Sequence, residues 1–298
     1  AGIGGGSGET NGGTGNITIG GGTIHSTGGS LGAGIGGGSG GTQSGNGTVT
    51  ISGGKVTAVG GNYAAGIGGG GGTKSQYLTW IGGTGSVTIT GGIVDAKGGA
   101  GDSSGNYAGA PIGNGGNTTA TATVSKTNAI VFENGAGTVC GDVTLDGSYT
   151  VPGDYTLNIP VGASLSGSGT LSGGSAFTTE NLTADMISVP TNLYYDGKDR
   201  TEYLITELSG ELDKGIAICG QTFAVSGWTV AVSRTDDLHY TATYTNTDNS
   251  TTFQKTITLQ QSGTTLDGAV KTYNGETETK DFTASDTITV KATPTATG

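Results

Sequence analysis

Ala1-Gly-Ile-Gly-Gly-Gly6, Ala33-Gly-Ile-Gly-Gly-Gly38 and Ala65-Gly-Ile-Gly-Gly-Gly70 are one phrase written three times, and Ala110-Pro-Ile-Gly-Asn-Gly115 is a worn fourth copy. The starts lie 32, 32 and 45 residues apart (33−1, 65−33, 110−65). A second phrase runs between them: Asn16-Ile-Thr-Ile19 with Thr23-Ile24-His25-Ser26, Thr48-Val-Thr-Ile51 with Lys55-Val56-Thr57-Ala58, and Ser86-Val-Thr-Ile89 with Ile93-Val94-Asp95-Ala96. A fixed period of this length marks stacked repeat units, each burying its apolar face only against its neighbours.

Inside a unit the apolar residues alternate. Ile17, Val49 and Val87 precede Ile19, Ile51 and Ile89 by two positions, and Ile24, Val56 and Val94 precede Ser26, Ala58 and Ala96 by two. That is strand periodicity, with alternate side chains on opposite faces. Each strand can therefore sit on its copy about 4.8 Å away, so that Ile and Val form inward ladders along the stack. Ile3, Ile35, Ile67 and Ile112 supply a third ladder, and the glycines between strands permit sharp corners. The expected fold class is all-β: a right-handed parallel β-helix over residues 1–176, followed by an immunoglobulin-like β-sandwich over residues 177–263. A disordered glycine-rich linker, suggested by 64 glycines in 298 residues, would carry no such phasing.

Beyond Thr118 the phrase changes while strand character persists, through Ala129-Ile130-Val131-Phe132, Gly137-Thr138-Val139, Tyr149-Thr150-Val151-Pro152 and Tyr155-Thr156-Leu157-Asn158-Ile159-Pro160. These segments are expected to continue the stack as less regular turns or to cap it. Near residues 175–180 the texture becomes that of a sandwich, with Leu193-Tyr194-Tyr195-Asp196-Gly197, Gly215-Ile216-Ala217-Ile218, Trp228-Thr229-Val230-Ala231-Val232, His239-Tyr240-Thr241-Ala242-Thr243-Tyr244 and Thr252 to Leu259. Residues 264–298 are expected to complete that sandwich or to open a further such module.

Charge excludes some partners. Asp and Glu number 23 against 12 Lys and Arg, a net −11, which argues against nucleic acid and against anionic membrane surfaces. No apolar run is long enough to span a membrane, and no signal peptide stands at the start. The chain opens in mid-phrase, so it is expected to be a monomeric segment of a longer protein. Cys140 and Cys219 have no metal-type spacing, and a disulfide between them is not the favoured reading. No cofactor and no metal is expected.

The AGIGGG phrases, the coils from Gly147-Ser-Tyr-Thr-Val-Pro152 to Leu157-Asn-Ile-Pro160 and the Leu193-Tyr-Tyr-Asp-Gly197 strand resemble multidomain surface proteins of gut Gram-positive bacteria. In those, parallel β-helix segments related to carbohydrate-binding β-helix proteins alternate with bacterial Ig-like modules. The resemblance implies an extracellular, cell-surface-attached location and an adhesin or stalk role, and it brings no catalytic motif to carry over.

Catalysis on a β-helix needs clustered ionisable groups, as paired carboxylates for glycosidases or calcium-binding carboxylates with a basic residue for lyases. Residues 1–176 contain no arginine, and Glu9, Asp95, Asp102, Glu133, Asp142, Asp146 and Asp154 are thinly spread. Asp95 stacks in register on Thr57 and His25, and its pairing with Lys97 reads as structural. A polysaccharide lyase or glycosidase is the alternative reading, and a spacer without ligand is the second alternative. Sugar binding is better supported. Tyr63, Tyr77, Trp80 and Tyr107 fall in loops of two neighbouring units, with Asn62 and Asn106 before the two outer tyrosines and Gln76 beside Tyr77. Rings on a rigid edge can stack on pyranose faces while amides bond hydroxyls; the competing reading is that these rings only pack the loop. An ice-binding face of Thr18, Thr50 and Thr88 is spoiled by the mixed His25, Thr57, Asp95 column. His25 and His239 are isolated, and the glycine phrases lack the helix and Lys-Ser/Thr of a phosphate loop.

Overall fold

A computed structural model describes residues 1–74, 79–261, 270–273 and 276–279. The chain is mostly strand, much of it in parallel sheets, and divides into two units: Ala1–Thr183 with Leu212–Trp228, and Ala184–Glu211 with Thr229–Gly298.

The copies of each phrase lie on one another. Ile3 pairs with Ile35, Ile35 with Ile67 and Ile67 with Ile112, all parallel. Strand Gly15–Ile19 pairs with Gly47–Ile51, then Gly85–Ile89, then Thr123–Lys126, aligning Ile17, Val49, Val87 and Val124. Strand Thr23–Thr27 pairs with Lys55–Val59, then Ile93–Lys97, then Ala129–Glu133, aligning Ile24, Val56, Val94 and Val131. Ile35, Ile51, Ile67, Ile89 and Val94 are wholly buried, whereas Ile3, Ile17 and Ile24 at the end of the stack are only partly covered. Burial in a ladder comes from the neighbouring repeat, so an end repeat has half of it.

One column shows why the phrase needs glycine. Gly4, Gly36, Gly68 and Gly113 take φ of 127°, 135°, 134° and 133°, and a Cβ at Gly68 would lie 1.9 Å from the Gly113 carbonyl oxygen. Both the dihedral and the space forbid any larger residue.

The segment after Thr118, expected to continue the stack as less regular turns or to cap it, contains a reversal. Ala129–Glu133 turns back on Ala136–Cys140 as an antiparallel hairpin, through Asn134 and Gly135 at φ 52° and 90°. Two consecutive positive φ values suit a tight hairpin, and Asn-Gly is the pair that takes them most cheaply. A second parallel stack then grows: Ala136–Cys140 pairs with Thr156–Ile159, that with Ala176–Thr179, and that with Gln221–Val225. Val143 lies against Leu165 and Tyr149 against Leu171 in flanking pairs. Here the spacing is 20 to 22 residues (156−136, 164−142) in place of 32. The Ala136–Cys140 to Gln221–Val225 column shares one nine-stranded sheet with the Thr23–Thr27 to Ala129–Glu133 column of the first stack, while the flanking pairs form separate two-stranded sheets; the core of the second stack lies on the other face of the shared sheet. Val94, Ala96, Ala129 and Val131 belong to one cluster, while Ile93, Ile130 and Phe132 belong to a second with Val139, Leu157, Ile159 and Phe223. Ala129–Glu133 is the strand with apolar residues buried on both faces.

Residues 212–228, read from texture as sandwich, return to the first unit. Ile216–Ile218 forms a hairpin with Gln221–Val225, and the Leu171 N–H donates to the Cys219 carbonyl. Cys140 and Cys219 are both free thiols in this unit, their pKa values pushed up by burial.

The second unit contains most of a three-stranded sheet, Trp228–Arg234, His239–Asn246, Thr252–Thr258, the last two antiparallel, with Tyr240, Ala242, Tyr244 and Ile257 wholly buried. It also holds most of a helix, Thr201–Asp213, that the strand texture conceals. Asp199 Oδ1 accepts the Thr201 N–H at 2.8 Å at its start, and Leu204 and Leu208 are wholly buried. That is a side-chain cap followed by an apolar stripe at helical spacing. Val270–Tyr273 pairs antiparallel with Glu276–Thr279, and the rest of the expected third segment lies outside the described residues.

Ile89→Ala should lower unfolding stability by about 2–5 kcal/mol in urea titrations, and Gly68→Ala should also destabilise, whereas Thr88→Ala on the exposed side of the same strand should stay within about 0.5 kcal/mol. Equal losses for Ile89→Ala and Thr88→Ala would contradict the ladder.

Candidate functional site

The loops that interrupt the ladders gather on one edge of the first stack. Asn62–Tyr63 and Asn106–Tyr107 form similar turns in neighbouring repeats, and both tyrosines take left-handed backbone, φ 63° and 58°. Bulky residues are rarely found there, and such a conformation costs on the order of 1–3 kcal/mol. Both rings are half-buried, while Asn62 and Asn106 are exposed. Among the described residues neither of the two rings stacks on another aromatic side chain.

Trp80 is tied to the same edge through Asn117, a residue that no sequence pattern singles out. The Tyr63 carbonyl accepts from the Gly116 N–H at 2.6 Å. Next to it, Asn117 takes φ 54° and its Nδ2 donates to the carbonyls of Trp80 (2.7 Å) and Thr73 (3.2 Å). Its own carbonyl accepts from the Gly82 N–H. Asn117 thus clasps both ends of the inserted loop, and Tyr63 and Trp80 are linked through two adjacent residues. Lys74 and Thr79 bridge antiparallel within that loop. Gln76 and Tyr77 lie outside the described residues.

Asn106 is committed elsewhere. Its Nδ2 donates to Asp102 Oδ2 at 3.0 Å and its N–H to Asp102 Oδ1 at 2.9 Å, bonds that hold the Asp102 carboxyl below the ordinary range. Its amide therefore organises its own loop, with Oδ1 and one Nδ2 proton left over. Asn62 has no such partner among the described residues.

Beside Trp80, Ile81 joins a short outer column in which Asn11 bridges to Gln43 and Gln43 to Ile81, each one repeat along. A polar cleft of about 210 Å³ opens on this column, lined by Asn11, Thr14, Gln43, Ser44 and Asn46 with Gly12 and Gly45.

The ionisable groups form a different cluster, on the opposite side of the Ile93–Lys97 strand from the first core. The outward column runs His25, Thr57, Asp95, Phe132 and becomes steadily more covered as the second stack closes over it. The Tyr155 hydroxyl donates to both Asp95 oxygens at 3.2 Å, and the Lys97 ammonium lies 5.1 Å from the Tyr155 ring centre. Lys55 donates to the Ser148 carbonyl at 2.9 Å and lies over the Tyr149 ring. Burial raises the Asp95 pKa against the opposing pull of the Tyr155 bond and of Lys97, and pushes the Tyr149 hydroxyl up to about 12. Asp95 and Lys97 each use the second stack as a partner, so the cluster joins the two stacks. Asp142 accepts from the Ser164 hydroxyl at 2.7 Å, and among the described residues no group of three His, Cys, Asp or Glu side chains could hold a metal ion. Among the described residues no helix is long and apolar enough to cross a membrane.

No protein-family model, no curated protein and no solved structure matches this chain.

Asn117→Gly keeps the left-handed backbone but removes both side-chain bonds, so trypsin should cut after Lys74 several-fold faster while the unfolding midpoint moves little. An unchanged cleavage rate would remove Asn117 from the clasp. A raised folded-state pKa means the fold favours protonated Asp95. That stabilisation is complete below the ordinary carboxylate pKa of about 3.9 and is lost as pH rises through the raised value. Asp95→Asn, which mimics the protonated state, should therefore raise stability at pH 7 and have little effect near pH 3; an equal shift at both pH values would contradict this.

Proposed function

We propose that the first unit is a right-handed parallel β-helix acting as a non-catalytic, glycan-binding segment of an extracellular, cell-surface-attached protein. The observation that carries this reading is the edge holding Tyr63, Trp80 and Tyr107. Two of these rings stand on left-handed backbone, and Asn117 and Gly116 bind the third to the same edge. Strain in an over-determined framework points to a role beyond packing, since packing alone would be met more cheaply by Asn or Gly at those turns. Half-buried rings on a stiff edge suit the apolar faces of pyranoses, with exposed Asn62 to bond hydroxyls.

The β-helix assignment is supported by the in-register parallel ladders, and an adhesin or stalk role by the stiffness such stacking confers. In the second unit an Ig-like assignment is supported by the antiparallel sheet with alternating buried side chains, although the helix Thr201–Asp213 departs from the seven-strand pattern. The partner is a polysaccharide or host glycan, bound by one chain at a time. The Asp95 cluster gives the enzyme alternative little support, because Tyr155 occupies both carboxylate oxygens.

A glycan microarray followed by titration tests the reading. Trp80→Ala and Tyr63→Asn should each weaken binding by about tenfold, which is about 1.4 kcal/mol. Tyr63→Asn should at the same time raise stability, since Asn tolerates left-handed backbone. Turnover of a bound polysaccharide would overturn the non-catalytic assignment, and a chain that binds no glycan would be a spacer.

A further inference from the structure

We infer that the cleft on the Asn11–Gln43 column is a subsite for one sugar ring of a neutral polysaccharide whose chain runs along the stack toward Ile81 and Trp80. This rests on the glycan-binding reading above and adds to it a position, a direction and a substrate class.

The cleft is built, with a fixed floor and free walls. Ser44 is buried, its hydroxyl donating to the Gly71 carbonyl at 2.6 Å and accepting the Gly40 N–H at 3.2 Å. Asn46 Oδ1 accepts the Thr84 N–H at 2.8 Å, which orients the amide and leaves its two Nδ2 protons to donate. The amides of Asn11 and Gln43 and the Thr14 hydroxyl are exposed and have no hydrogen-bond partner among the described residues. Primary amides offer a donor and an acceptor side by side, which matches vicinal hydroxyls that also do both. Stacked one strand spacing apart, the two amides present a repeated donor–acceptor set at about 4.8 Å, close to the length of one sugar unit.

Size sets the ligand's extent. About 210 Å³ is below the roughly 300 Å³ at which pockets begin to enclose drug-sized molecules, so the cleft holds a ring and not an oligosaccharide. Further rings must lie outside it, and the same column continues to Ile81, an apolar side chain left 43% exposed, with Trp80 as its chain neighbour. An amide-lined socket followed by an apolar surface fits the polar rim and C–H face of successive sugars. Charge sets the class. No lining residue is charged, and the exposed Glu9 stands two residues before Asn11, so uronate or sulfated polymers would meet repulsion without a cation in the lining to offset it.

Titration of the full chain with neutral polymers (a β-glucan, a mannan, a xylan) and acidic ones (polygalacturonate, alginate) tests the subsite. Wild type should prefer a neutral polymer, with affinity rising from mono- to trisaccharide of its repeat. The double change Asn11→Ala with Gln43→Ala should weaken that binding about tenfold. Asn46→Asp, which keeps the bond to Thr84 but loses the donors, should weaken it too, and circular dichroism melts should show both variants folded. Binding that falls with Trp80→Ala but is untouched by the double change would overturn the subsite and leave the glycan reading standing. Preference for acidic polymers would overturn the neutral class, and no binding to any polymer would overturn the glycan reading and the subsite with it.

Discussion

The backbone of each repeat lies directly on the next, so close that Gly4, Gly36 and Gly68 cannot carry a Cβ. A Cβ at Gly36 would sit 2.0 Å from the Gly68 carbonyl oxygen. The register allows no slip: a shift by one residue would turn every Ile and Val outward. Extra residues therefore cannot be absorbed in the wall. The third repeat is 13 residues longer than its predecessors (45−32), and its surplus leaves as the loops around Trp80 and Tyr107. A rigid wall that expels its insertions to one edge is a framework on which variable side chains can be displayed at fixed spacing.

The same sheet then serves two cores. Alternate side chains of Ala129–Glu133 point to opposite faces, and apolar residues on both faces let it close the first stack while opening the second. Two consequences follow. The hairpin at Asn134-Gly135 reverses the chain direction while the sheet goes on growing the same way, so the ladder that ends in Ala129–Glu133 is covered by pairing rather than left as an open edge. The outer column of the first stack is drawn under the second, which is why Asp95 is partly desolvated while His25, two strands earlier in the same column, stays exposed.

Where position depends on period, the sequence is legible. The parallel register of Ile19, Ile51 and Ile89 could be read from spacing alone, because every copy meets the same neighbour. The reversal was written too, in Glu133-Asn134-Gly135-Ala136, but among so many glycines one Asn-Gly pair does not stand out. The helix Thr201–Asp213 carries Leu204, Leu208 and Leu212 four apart behind a capping Asp199, a pattern outweighed by the strand-like segments on either side. The site divides in the same way. Asn11 and Gln43 lie 32 apart and were in phase from the start, whereas Asn117 binds carbonyls 37 and 44 residues away, which no local pattern encodes. Nor does an Asn-Tyr pair announce that Tyr, rather than Asn, will take the left-handed turn.

That last detail bears on why the edge is made as it is. At Tyr63 and Tyr107 the neighbouring Asn is the residue that tolerates φ near 60°, yet it sits one position too early. Exchanging the two would relieve the turn but swing the ring to a different bearing on the edge. The stacked repeats can hold the costlier arrangement, since the Gly116 N–H bonds the Tyr63 carbonyl and the wall on either side is already fixed by its own ladders. Stability generated in the buried columns is thereby available to impose a conformation at the rim that an isolated loop would relax away from.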